Sequence, residues 1–260
     1  MMKKILTVAA VLLVTLSACQ KENIDQDEQR SADETTQFEN LLTIDEGTFD
    51  EMFLNDTPES FPPAPCATVT RDTTTTPRTI TIDYGTTNCL CADGRFRRGV
   101  VVISYTGQRR QAGSSFSVAF TNYFVNDHAV TGSVSGSHSL NNGNPLLSRT
   151  STLLLVSPTN DSMQRTATRS IEMIAGYSTP VRSDDVFLIS GSSSSTRNGL
   201  TSSQTITTPL RKEVSCNWLV SGVMTTTRGN NSRTIDFGNG SCDNQATVTV
   251  NGITRTITLP

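Results

Sequence analysis

The sequence predicts an all-β protein. Three observations carry this. Ser and Thr make up 69 of the 260 residues, and such side chains favour strands, turns and caps over helix interiors. From Cys66 onward the hydrophobic pattern has a period of two, as in Arg78-Thr79-Ile80-Thr81-Ile82, Phe116-Ser117-Val118-Ala119-Phe120 and Ala246-Thr247-Val248-Thr249-Val250. Gly, Asn, Ser and Asp separate these runs. With so few good helix formers, the composition argues against a helix bundle and a doubly wound α/β enzyme.

The first element, residues 1–18, is a secretory signal. Met1-Met2-Lys3-Lys4 is basic, and the apolar run from Ile5 to Leu16 is 12 residues long. A membrane-spanning helix needs about 20 apolar residues, so this run is too short, and no later segment approaches that length. Leu16-Ser17-Ala18-Cys19 resembles a bacterial lipobox, in which the cysteine thiol takes a diacylglyceryl group. The match implies lipidation of Cys19 and a membrane partner held through that lipid. At about 0.8 kcal/mol per buried methylene, several acyl chains anchor a protein where one does not. Gln20-Lys21-Glu22-Asn23 is similar to the short charged export signals of surface lipoproteins in Bacteroidota-type bacteria. The expected location is therefore the outer membrane, lipid-anchored and cell-surface exposed, with a periplasm-facing leaflet as the alternative.

Residues 19–60 form the second element, a lipidated acidic tether. The formal net charge of −3 hides a segregation: residues 20–60 carry 13 Asp/Glu against 2 Lys/Arg, and residues 61–260 carry 11 against 17. A polar, acidic stretch of this kind buries too little apolar area to offset its ordering entropy. A single helical turn is expected where Thr48-Phe49-Asp50-Glu51 has capping-box spacing.

The third element, 61–260, is the folded domain. Strands are expected at 66–70, 78–82, 100–105, 116–120, 129–135, 149–156, 165–173, 185–190, 201–207, 214–227, 246–250 and 253–259. Val100 to Tyr105 is continuously apolar and is expected to be buried on both faces. Asn251-Gly252 suits a type I′ hairpin turn. Two segments repeat: Thr81-Ile82-Asp83-Tyr84-Gly85 followed by Cys89, and Thr234-Ile235-Asp236-Phe237-Gly238 followed by Cys242. Each has an upstream cysteine, Cys66 and Cys216, which suggests the bridges Cys66–Cys89 and Cys216–Cys242. A Cys66–Cys91 bridge with Cys89 free is the rival, because connectivity does not follow from spacing alone. The expected architecture is an antiparallel β-sandwich or two related β lobes, with an open, curved single sheet as the alternative.

These features recur together: Cys66-Ala67-Thr68-Val69-Thr70, the TID[YF]G motifs with their cysteines, Asn122-Tyr123-Phe124-Val125-Asn126, Cys216-Asn217-Trp218 and the closing Val-Asn-Gly hairpin. In them the chain resembles a family of uncharacterised lipoproteins from Bacteroidota. The resemblance implies a secreted β domain and no particular activity.

The residues offer no catalytic constellation, cofactor site or metal site. His128 and His138 are expected in solvated turns. Asp184-Asp185 is the one adjacent carboxylate pair of the domain, and consecutive strand residues face opposite sides. Asp83 and Asp236 precede Gly-containing turns. They are expected to accept backbone N–H bonds there, with a loose calcium loop at Asp236, Asp243 and Asn244 as the alternative. Trp218 is expected in the core beside Cys216. Arg95, Arg97, Arg98, Arg109 and Arg110 form a basic group, with Arg97 and Arg98 on opposite faces, and a solvated strand edge is expected there. Nucleic acid is not an expected partner of an exported protein; a surface glycan or protein ligand is. The expected function is a non-enzymatic surface binding or adhesion module. A structural, periplasm-facing envelope lipoprotein is the alternative, and an enzyme of unrecognised type ranks third.

Overall fold

The computed structural model describes residues 65–259, apart from 92–93, 109–110 and 180. The signal, Cys19 and the acidic tether lie outside the described residues, as do Arg109 and Arg110.

Fourteen strands follow one another: β1 (Thr68–Asp72), β2 (Arg78–Asp83), β3 (Cys89–Leu90), β4 (Phe96–Thr106), β5 (Ser115–Val125), β6 (His128–Asn141), β7 (Asn144–Val156), β8 (Ser162–Ala175), β9 (Val186–Arg197), β10 (Leu200–Glu213), β11 (Leu219–Arg228), β12 (Asn231–Asn239), β13 (Gln245–Val250) and β14 (Ile253–Thr258). All pairings are antiparallel. Thirteen strands follow one path in chain order through one sheet, with β2 bonded to β4, and the two-residue β3 pairs off the path with the start of β4. The antiparallel all-β class is as expected. The strands are not divided between two sheets, however, so the architecture is the open single sheet. Short turns account for this, because a two-residue hairpin returns the chain beside the strand it left, whereas a sandwich needs connections that cross between layers. Asn251 and Gly252 have φ of 50° and 80° and join the paired residues Val250 and Ile253, the expected type I′ geometry. Asn142-Gly143 and Asn198-Gly199 do the same for β6–β7 and β9–β10.

Glycines with positive φ interrupt several strands. Gly99, Gly132, Gly191 and Gly222 have φ between 90° and 131°. A Cβ on Gly132 or Gly191 would lie 2.1 Å from the carbonyl oxygen of Thr152 or Thr168 on the neighbouring strand. Glycine inside a strand often marks a place where another backbone approaches closely. On the inner face of the sheet the paired row Ile80, Ile103, Val118 and Val134 is buried, as are Ile82, Val101, Leu153, Leu155 and Met163. Val101 and Ile103 are fully closed to solvent, but Val100 and Val102 face the other side half-buried. This corrects the expectation that 100–105 is buried on both faces: the segment alternates like its neighbours. A second apolar cluster of Leu210, Phe237 and Ala246 covers β10–β13.

Both expected bridges are present, Cys66–Cys89 and Cys216–Cys242, and Cys91 is buried and belongs to neither bridge. Each repeat copy is thus a disulfide-closed hairpin. Cys66 precedes β1, which pairs with the TIDYG strand β2; Cys216 precedes β11, which pairs with the TIDFG strand β12. The copies sit towards the two flanks of one sheet instead of forming separate lobes. Val214–Trp218, expected as the start of a strand, is turn and bend, and the strand begins at Leu219.

Candidate functional site

Residues directly opposite each other in antiparallel strands share a face, so the register can be followed across the sheet. From Thr79 on β2 the partners are Ser104, Ser117, Ser135, Thr150, Thr168, Ser192, Thr205, Thr225, Thr234, Thr249 and Thr254. This is an unbroken row of twelve hydroxyls, one on every strand of the path from β2 to β14. It lies on the face opposite the apolar core, and Ser117, Ser135, Thr150, Thr168, Ser192, Thr205 and Thr254 are exposed. A second row, two residues along, joins Ser133, Thr152, Thr166, Ser194, Ser203, Thr227 and Ser232. A third, on the other side, joins Thr106, Ser115, Ser137, Ser148, Ser170 and Ser190. Some neighbours bond to each other: Ser135 and Thr150 at 3.1 Å, Thr106 and Ser115 at 2.9 Å, and Thr249 and Thr254 at 2.7 Å.

Between the first and third rows lies an open trough of about 560 Å³. Ser115, Ser137, Ser148 and Ser170 line one wall, and Ser135, Thr150 and Thr168 the other. The intervening residues Phe116, Gly136, Arg149, Arg169 and Gly191 also border it. By strand alternation their side chains belong to the inner face, so their backbone makes the floor. The geometry follows from strand spacing: hydroxyls repeat at about 4.8 Å along a row, and rows stand about 7 Å apart. A Ser or Thr hydroxyl both donates and accepts, so the surface is amphoteric and its walls carry no formal charge.

A second groove, at the end of β4–β7, is bordered by Arg98, Phe124, Asp127, Val156, Pro158 and Asn160. The Arg98 guanidinium lies 3.8 Å from the centre of the Phe124 ring and pairs with Asp127 and with Asn88 Oδ1. Donation from Asn88 and Arg98 holds the Asp127 carboxyl below its usual pKa.

Several expectations are corrected at the level of side chains. Arg97 and Arg98 do face opposite sides, but Arg97 is buried and donates from Nε to the Tyr123 hydroxyl at 3.2 Å, so it is no part of a solvated edge. His138 is not in a solvated turn. It is buried in β6 with Nδ1 2.9 Å from the buried Ser114 hydroxyl, and backbone bonds between His138 and both Gly113 and Ser114 clamp the β4–β5 loop there. His128 opens β6 half-buried, its Nδ1 2.8 Å from the Asn126 carbonyl. Trp218 is half-buried in the bend before β11, short of the full burial expected beside Cys216. Asp184 closes a short 3-10 turn and accepts from Thr179, while Asp185 is buried. Asp83 and Asp236 do make the expected equivalent turns, accepting the N–H of Gly85 at 2.8 Å and of Gly238 at 2.9 Å. Asp243 accepts the N–H of Gln245 at 2.9 Å in the same way. Among the described residues no group of three His, Cys, Asp or Glu is placed to share a metal ion.

No protein-family model, curated protein or solved structure matches this chain.

Proposed function

We propose that this chain is a lipid-anchored, non-enzymatic binding module displayed on the outer surface of a bacterial outer membrane. The single observation that carries the binding reading is the exposed face of hydroxyl rows. A wide sheet needs one face for its core, and the other needs only to be soluble, for which scattered Lys and Glu suffice. An uncharged hydroxyl array extending over twelve strands is more regular than solubility asks for. The anchor reading rests on Leu16-Ser17-Ala18-Cys19, and the acidic stretch from 20 to 60 supplies the spacer that would hold the sheet away from the membrane.

Protease treatment of intact cells tests the display. Loss of the full-length band from intact cells, together with release of a Cys19→Ala variant from the membrane fraction, is the expected result. Protection until the cells are lysed overturns surface display and points to a periplasm-facing envelope role.

A further inference from the structure

We propose that the trough across β5–β9 holds a linear, uncharged polysaccharide lying perpendicular to the strands. This rests on the binding-module reading and gives it a ligand class. The wall residues are Ser and Thr alone, which match sugar hydroxyls because each partner can donate or accept in turn. An anionic glycan would meet no cation on these walls. It would also meet Glu172, two residues beyond Ser170 on the same face, whose carboxylate is fixed by Asn141 and Asn144 at 2.9 and 2.7 Å. An extended peptide adds to a sheet edge through its backbone, whereas this trough crosses the sheet interior with its floor amides already paired. A lipid would need an apolar wall.

The shape selects a chain over a single sugar. The trough is open, so it cannot enclose a small ligand. A single exposed hydroxyl bond exchanges one water contact for another and contributes little by itself. Repetition supplies affinity: the hydroxyl walls cross four strands, β5 to β8, about 14 Å at the usual strand spacing, so consecutive sugar units meet equivalent hydroxyls and their contacts act together.

The test is affinity electrophoresis of the full chain in detergent micelles, through gels containing hydroxyethyl cellulose, xyloglucan, mannan, dextran or the acidic polymer alginate. Retardation by at least one neutral polymer is expected. A Thr150→Val/Thr168→Val double variant should weaken it at least tenfold. Valine has threonine's shape and favours strands, so melting should be unchanged and the loss can be assigned to the hydroxyls. A Thr249→Val/Thr254→Val variant, on the same row but outside the trough, should be retarded like the parent. Retardation by alginate alone, by no polymer, or equally in both variants overturns the proposal. So does a change of sedimentation in the trough variant alone, which would make a second copy of the chain the occupant. A protein that is shaved from intact cells yet runs free in every gel overturns the polysaccharide and leaves surface display standing.

Discussion

Arg97 and Tyr123 meet inside the sheet, the guanidinium Nε 3.2 Å from the phenol oxygen and both side chains closed to solvent. Tyr123 also stacks on Phe120 with ring centres 5.4 Å apart. Tyr123→Phe therefore keeps the ring contact and removes one acceptor from a buried cation. Loss of such an acceptor costs about 1–3 kcal/mol, and for a domain of this size the melting temperature should fall by roughly 2–4 °C for each kcal/mol. An unchanged melting curve would mean that the bond contributes nothing to stability.

The two disulfides close loops of similar length, with sequence separations of 23 and 26. Loop-closure entropy predicts about 3 kcal/mol from each. Cys216→Ser and Cys242→Ser should lower the denaturation midpoint equally, and the double variant should be no worse than either single one. Cys91, buried beside the first bridge with Sγ 3.6 Å from the Cys89 carbonyl, should resist alkylation in the folded protein and react once denaturant is added. Rapid labelling of Cys91 without denaturant would contradict its burial.

The Arg98–Asp127 pair makes a prediction about pH. Asp127 has its pKa lowered from 3.8 in the folded protein, chiefly by the Asn88 and Arg98 side chains that donate to it. A depressed carboxylate contributes stability above its unfolded pKa, and the contribution is lost as pH falls through the folded value. The pair should thus hold Arg98 over Phe124 throughout neutral and mildly acid conditions and release it only below about pH 3.8. A carboxyl carbon titration of Asp127 by NMR checks this, and a midpoint at or above 3.8 would refute the arrangement.

Much of this was legible in the sequence, and what was not has identifiable causes. Period-two alternation gave the strands. The matched TID[YF]G-x3-Cys copies gave the bridges, because equivalent turns present equivalent cysteines. The hydroxyl rows were partly within reach. Counting outward from Asn142-Gly143 pairs Ser137 with Ser148 and Ser135 with Thr150, and the same count from Asn251-Gly252 pairs Thr249 with Thr254. The full row was out of reach because β7 and β8 are joined by a longer loop and bulges shift the register in β5–β6 and β10–β11, and one residue of slip moves a side chain to the other face. The burial of His138 is hidden for a related reason. Its neighbours Ser137 and Ser139 are polar because they sit on the solvent face, and in a strand this says nothing about the residue between them. The single sheet was hidden because alternation is equally consistent with one sheet that bends or two that stack.

The need for glycine inside the strands can be tested by substitution. Because neighbouring backbone crowds Gly132 and Gly191, a single methyl group there is a severe substitution. The Cβ of Gly132→Ala would lie 2.1 Å from the Thr152 carbonyl oxygen and 3.0 Å from the Leu153 Cα, both backbone atoms held in the ladder. Gly143 has a positive φ of 90° too, but nothing lies within 4 Å of an added Cβ there. Gly143→Ala should therefore cost only the conformational penalty of a left-handed residue, about 1–2 kcal/mol. Gly132→Ala must also displace a strand, and a loss above about 3 kcal/mol is expected. Denaturant midpoints of the two variants separate the effects. Equal losses would show that backbone conformation alone sets the need for glycine, and the close approach of β6 and β7 would then add nothing to it.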